Sequence, residues 1–328
     1  MSRLFRSLAL ALPAVLSVPF AAIPAHALDG VVASIKPVHS LVAAVMEGVG
    51  EPALIVRGSG SEHVHSLRPS DAAALEKASI VFRIGEDMET FLNGQLKALA
   101  AGATVVSLED APGLETLPQR EGGPFEAHSH DDDDDDGDDD EHSHEGHSHE
   151  AHAHPHSDLH FWLDPVNARA MIGEIARVLG EADPANAARY AGNAEAYLAR
   201  LDALVAETAA TVEPVKARPS IVFHDAYQYF ERRFGLNVVG SITVSPEVLP
   251  GAQRLSAIRD KVKALGAVCV FAEPQFEPKL VFIVTEGTDA RTGVLDPLGA
   301  AIADGPDLYI DLIRELGRSF AACLSQAG

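Results

Sequence analysis

Short β-branched runs alternate with helical patterns twice along this chain, and one long helical stretch separates the two series. Before it, the pattern predicts strands over Gly30–Ile35, Ala53–Val56, Ile80–Ile84 and Thr104–Ser107. Helices are predicted from Pro37 through Glu47, after a cap at Ser70, and over Asp87–Ala100. After it, strands are predicted over Ser220–Phe223, Val238–Ser241, Ala267–Phe271 and Gly293–Leu295. The matching helices are Ala226–Phe234, Gln253–Leu265, Pro278–Glu286 and Leu308–Cys323. Strands separated by helices return to the same edge of the sheet, so this alternation implies parallel sheets with helices on both faces. Between the halves a helix is expected over Pro165–Leu179. A longer run opens at Asp183-Pro184, in which Tyr190, Ala194, Tyr197, Leu201, Leu204, Thr208 and Val212 recur at helical spacing. At 1.5 Å per residue, a helix from 184 to 212 would be about 40 Å long, a stiff connector between two lobes. Pro214 and Pro219 end it. The fold class is therefore α/β. The expected division is 1–27 as a signal peptide, 28–182 as the N-terminal lobe, 183–213 as the linker helix and 214–328 as the C-terminal lobe.

One segment does not fit this rhythm. Residues 121–158 carry fifteen Asp and Glu and no Lys or Arg. Nine of the fifteen histidines of the chain fall in the same segment, at 128, 130, 142, 144, 147, 149, 152, 154 and 156. A block of like charge has almost nothing apolar to bury and is expected to be disordered. Imidazole and carboxylate together are ligands of divalent transition metals, so His128, His130, His142, His144, His147, His149, His152, His154 and His156 form an expected auxiliary metal-attracting loop. A purification tag would sit at a terminus, and this tract is interior. Apolar residues return at Leu159, so His160 belongs to the ordered part. The formal charge of −23 argues against a nucleic-acid partner, and much of that excess sits in the tract.

Arg3 and Arg6 precede an apolar run from Leu8 to Phe20, and Ala25-His26-Ala27 is an A-x-A cleavage site. The expected mature chain begins near Leu28 and is exported. Pro13 and Pro19 interrupt the run, which argues against a membrane anchor. In an oxidising compartment the two cysteines, Cys269 and Cys323, either pair with one another or stay as buried thiols.

Outside the signal and the tract, histidines remain at 39, 63, 65, 160 and 224. Ligands of such sheets bind beyond the carboxyl ends of the strands. His63 follows the second strand, His160 marks the return to order, and His224 follows a strand of the second half. Three neutral imidazoles with one carboxylate or water satisfy tetrahedral zinc. Glu62 is a candidate for the carboxylate, and Asp296, just after the last strand, is the alternative. His65 is an alternative imidazole, His39 is expected to be structural, Phe161 and Trp162 are expected beside the site, and Asp225 is a candidate to fix an imidazole tautomer. There is no HExxH and no CxxC, so no local motif defines a metal site.

Ser61-Glu62-His63 with Ser66-Leu67-Arg68-Pro69-Ser70, His160-Phe161-Trp162-Leu163-Asp164-Pro165, Phe223-His224-Asp225-Ala226-Tyr227 and Leu295-Asp296-Pro297-Leu298-Gly299 together resemble the periplasmic zinc-binding proteins of high-affinity zinc ABC importers. The resemblance covers essentially the whole mature chain, the His-rich loop included. It implies two four-stranded lobes joined by a rigid helix, with the site in the cleft. It places the metal histidines at His63, His160 and His224, their glutamate neighbour at Glu62, and a disulfide at Cys269 and Cys323. It further implies a monomeric, non-enzymatic periplasmic receptor with Zn²⁺ as transported ligand. The implied partners are an ABC permease and its ATPase, with a periplasmic zinc chaperone as a further candidate. Manganese-binding relatives carry a carboxylate where His224 stands, and a third imidazole favours zinc. The competing readings are a manganese-binding or adhesin-type relative, a plain zinc buffer, and a zinc hydrolase with Glu62 as general base, for which no companion motif is present.

Overall fold

The computed structural model describes residues 28–120, 157–243, 250–266 and 269–325. The expected signal peptide and nearly all of the His-rich tract lie outside these residues. The N-terminal half contains β1 (Val31–Ala33), α1 (Lys36–Val45), β2 (Ala53–Leu54), α2 (Pro69–Glu76), β3 (Ile80–Arg83), α3 (Thr90–Leu99), β4 (Thr104–Ser107), β5 (Leu117–Pro118), β6 (Ser157–Asp158) and α4 (Asn167–Ala182). Helix α5 (Ala187–Val212) follows. The C-terminal half contains β7 (Ser220–His224), α6 (Gln228–Phe234), β8 (Val238–Thr243), α7 (Ala252–Leu265), β9 (Cys269–Ala272), α8 (Lys279–Thr285), β10 (Arg291–Val294) and α9 (Leu308–Ser325).

Both main sheets are parallel throughout, with orders β2-β1-β3-β4 and β10-β9-β7-β8. Counted from its own first strand, each half has the same order, second-first-third-fourth. Central strands of such sheets are covered on both faces and read as unbroken apolar runs. In β7, Ile221 and Phe223 enter a small cluster with Ile258, Val262, Val281 and Val284. Val222 faces the main core, which continues through both lobes.

Helix α5 buries one face, at Tyr190, Ala194, Tyr197, Leu201, Leu204, Thr208 and Val212, the positions its periodicity marks. It packs against α1, α4 and α9 and so ties elements of both lobes. Replacing the fully buried Leu201 with alanine would cost about 2–5 kcal/mol through lost contacts and the cavity left behind.

Several local expectations shift. Helix α2 starts before Ser70: Pro69 occupies its first turn, where a missing N–H costs nothing, and Asp71 accepts the backbone N–H of Arg68 at 2.9 Å. Helix α3 begins at Thr90 rather than Asp87, because the Glu89 side chain turns back to accept the backbone N–H groups of Ile84 and Gly85. The antiparallel ribbon β5–β6 lies outside the sequence pattern; it is two residues long on each side and pairs Leu117 with Asp158 and Pro118 with Ser157. It brings together the two ends of the His-rich segment.

Cys269 and Cys323 form a disulfide between β9 and α9, with Cα atoms 6.1 Å apart. Gly293 on β10 lies against it. A Cβ there would stand 2.7 Å from the Phe271 ring and 3.1 Å from the Cys323 sulfur, so only glycine fits. No helix of the described residues is long and apolar enough to cross a membrane.

Candidate metal centre

The seam between the lobes is held by paired polar groups. Lys36 of α1 donates to the carbonyls of Ala300 and Ile302 and pairs with Asp304. The Trp162 indole donates to Pro297 O, and the Tyr309 hydroxyl donates to Trp162 O. Arg233 of α6 forks onto Asp164. The Tyr229 hydroxyl donates to Asp158 O and accepts from Leu117 N, and the Gln228 amide donates to Pro118 O and to Asp158 Oδ2. Helix α6 is thereby fastened to the β5–β6 ribbon.

Glu62, His63, His160 and His224 meet at this seam, and one ligand atom from each lies within 4.8 Å of all the others. Glu62 and His63 come from the loop between β2 and α2, where Ser61 Oγ accepts the His63 backbone N–H and turns the chain. His160 precedes a 3-10 turn at Phe161–Leu163, and His224 is the last residue of β7. The Nε2 atom of His160 is 3.3 Å from that of His63 and 3.4 Å from that of His224. Ligands about 2.0–2.1 Å from a tetrahedral zinc ion are separated from each other by about 3.3–3.4 Å. Glu62 Oε1 is 3.9 Å from His63 Nε2 and 3.8 Å from His224 Nε2.

The donor set fits a cation. Both carboxylate oxygens of Glu62 are buried and accept no hydrogen bond. A buried polar atom without a partner is costly, and a metal ion would satisfy it. Two imidazoles are backed by carboxylates. Asp158 Oδ1 lies 2.8 Å from His160 Nδ1 and also accepts the His160 backbone N–H at 3.0 Å. Glu273, just beyond β9, lies 2.7 and 2.8 Å from His224 Nδ1 through its two oxygens. Burial depresses the basicity of His224, but Glu273 foremost, with Glu62 and Asp225, outweighs it and raises the pKa to about 9. A metal binding at Nε2 therefore competes with a proton for that nitrogen.

The remaining sequence candidates lie elsewhere. Asp296 is outside the cluster: its carboxylate accepts the backbone N–H groups of Leu298, Gly299 and Ala300 and the Gln275 amide, which leaves it capping a loop. Asp225 does not hold an imidazole; Arg120 forks onto it and onto Glu231. His65 turns toward α2, with its Nε2 3.7 Å from Asp71 and its ring against Phe91. His39 donates from Nε2 to Pro52 O. Burial lowers the pKa of both His65 and His39. The Trp162 ring packs 5.2 Å from that of His160, as expected, and Phe161 is fully buried. His128, His130, His142, His144, His147, His149, His152, His154 and His156 lie outside the described residues.

Two doubly wound lobes, joined by a long helix and meeting at a cluster of side chains that could hold a metal ion, have the architecture of a bilobal solute-binding protein. The chain belongs to the family described as zinc-uptake complex component A, periplasmic, whose pattern matches residues 31–323. A relative named high-affinity zinc uptake system protein ZnuA from Brucella suis is 61% identical over 308 residues, covering 91% of this chain and 92% of its own length. The protein of the same name from Paracoccus denitrificans is 41% identical over 308 residues, covering 93% and 94%. A crystal structure described as that of ZnuA matches the fold with a TM-score of 0.70 at 25% identity, over 89% of this chain and 97% of that one. The family is a periplasmic component of a transport system.

Proposed function

We propose that this protein captures Zn²⁺ in the periplasm at Glu62, His63, His160 and His224 and delivers it to an ABC permease driven by an ATPase. The observation that carries this reading is the spacing of His160 Nε2 from the Nε2 atoms of His63 and His224, 3.3 and 3.4 Å, which is that of neighbouring ligands on a tetrahedral zinc ion, with the buried Glu62 carboxylate beside them and no hydrogen bond to it. Three imidazoles and one carboxylate favour zinc over manganese, which prefers harder oxygen ligands. With Glu62 as fourth ligand no position is left for an activated water, so the site suits capture rather than hydrolysis.

Calorimetric zinc titration tests this. The full chain is expected to show one tight site that His63→Ala, His160→Ala and His224→Ala each weaken strongly. Deletion of residues 128–156 and His65→Ala are expected to leave that site intact. Tight binding retained in all three histidine variants would overturn the assignment. Turnover of generic ester or phosphoester substrates by the zinc-loaded protein would favour the hydrolase reading.

A further inference from the structure

We propose that Glu273 and Asp158 are the positioning residues of the zinc site, each fixing which nitrogen of one imidazole faces the ion. This rests on the zinc-receptor reading above. A neutral histidine carries its proton on one ring nitrogen and offers a lone pair on the other, and the partner of the first decides which. Both oxygens of Glu273 lie within 2.8 Å of His224 Nδ1, and Asp158 Oδ1 lies at 2.8 Å from His160 Nδ1. A carboxylate only accepts, so each requires an N–H at Nδ1 and turns the lone pair at Nε2 toward the cluster.

Each carboxylate is itself held in place. Glu273 is buried and accepts from the Tyr227 hydroxyl at 3.1 Å. It follows β9, which lies beside the strand that ends in His224, so the pair is set by sheet register. Asp158 lies on the ribbon strand β6, and its second oxygen accepts from Gln228 of the opposite lobe at 3.1 Å. His224 is thus oriented from within its own lobe. His160 is oriented by a residue that also senses how α6 sits against the ribbon.

The test uses the full chain loaded with zinc. Two-bond ¹H–¹⁵N correlation on the wild type should show His160 and His224 protonated at Nδ1 and metal-bound at Nε2. Protonation at Nε2 in either ring overturns the assignment for that residue, and this measurement needs no variant to fold. Glu273→Gln and Asp158→Asn should each weaken zinc binding by about 10–100-fold, measured by chelator competition. In the Co²⁺-loaded protein both should shift the visible bands, and Glu273→Asp should restore part of the affinity. A merely structural role would lower the melting temperature of the metal-free protein and leave the Co²⁺ spectrum alone. Wild-type affinity and spectrum in both variants would sink this inference and leave the receptor reading standing. Absence of tight zinc binding in the wild type would remove both.

Discussion

The two sheets share one strand order, and each reverses its winding at the equivalent place, between β1 and β3 in one lobe and between β7 and β9 in the other. Ligands of doubly wound sheets gather at such a reversal. Both places hold a buried glutamate, yet they are filled in opposite ways. In the N-terminal lobe Glu89 accepts from Ser34 Oγ and from the backbone N–H groups of Ile84 and Gly85, so both of its oxygens are engaged by the lobe itself. In the C-terminal lobe Glu273 faces His224, whose second nitrogen looks outward. The lesson is that a strand order fixes where a site can be, while the partner of one carboxylate decides whether it is open. The N-terminal lobe contributes its candidate ligands from loops instead, at Glu62, His63 and His160.

The largest contrast should appear between His224→Ala and Glu89→Gln. The first should reduce zinc affinity by more than the about 10–100-fold typical of outer partners, and the second should leave it within about twofold. Chelator competition reads both, and a strong loss in Glu89→Gln would break the comparison.

Next in size is the staple. Only the C-terminal lobe carries a disulfide, across a sequence separation of 54. Its removal in Cys269→Ala/Cys323→Ala should cost about 4 kcal/mol of stability on the chain-entropy account, seen in denaturant unfolding. Zinc affinity should change little, because His224 and Glu273 lie at the carboxyl ends of β7 and β9 and Cys269 opens β9 at the other end.

The smallest effects are in pH dependence of the metal-free protein, where the two glutamates Glu89 and Glu231 and the histidine His224 should act in different windows. Burial pushes the Glu89 carboxyl up to about 7, against the hydrogen bonds from Ile84, Ser34 and Gly85. A raised folded pKa gives stability that is complete below the ordinary carboxylate range and is lost as pH rises through about 7. Glu231, buried beside Arg120, is likewise raised to about 7 and shares that window. His224, raised to about 9, contributes stability that is complete below its ordinary 6.5 and is lost as pH rises through about 9. Glu89→Gln should therefore flatten part of the acid-side slope in a melting-temperature series. Zinc should abolish the alkaline-side slope, with proton release visible in titrations run in buffers of different ionisation enthalpy. An alkaline-side slope unchanged by zinc would contradict His224 as a ligand.

Much of this arrangement is legible in the chain. Alternating β-branched and helical runs mark both sheets, because each strand and helix is a local signal. The buried face of α5 is readable residue by residue from Tyr190 to Val212. The three histidines stand out by position at strand ends or loops and by their resemblance to a family. What sequence does not reveal is pairing across strands. Asp225 is the carboxylate beside His224 in the chain, but Glu273 holds its ring, because β9 lies next to β7. The one available signal was an acidic residue immediately after the apolar run Cys269–Ala272, where a strand delivers it to the ligand end of the sheet. Asp158, two residues before His160, was equally available. The β5–β6 ribbon left no trace because two residues per strand carry no period.

The two oxygens of Glu62, buried and without a hydrogen-bond partner, also bear on how long an empty molecule lasts. Buried acceptors left without a donor work against the native state until a bound cation satisfies them. An ion that binds only the native form adds about 2.7 kcal/mol of stability when its free concentration is a hundred times the dissociation constant. The cargo thus braces its carrier. A melting curve becomes a gauge of loading, and a protease challenge should cut the empty molecules first.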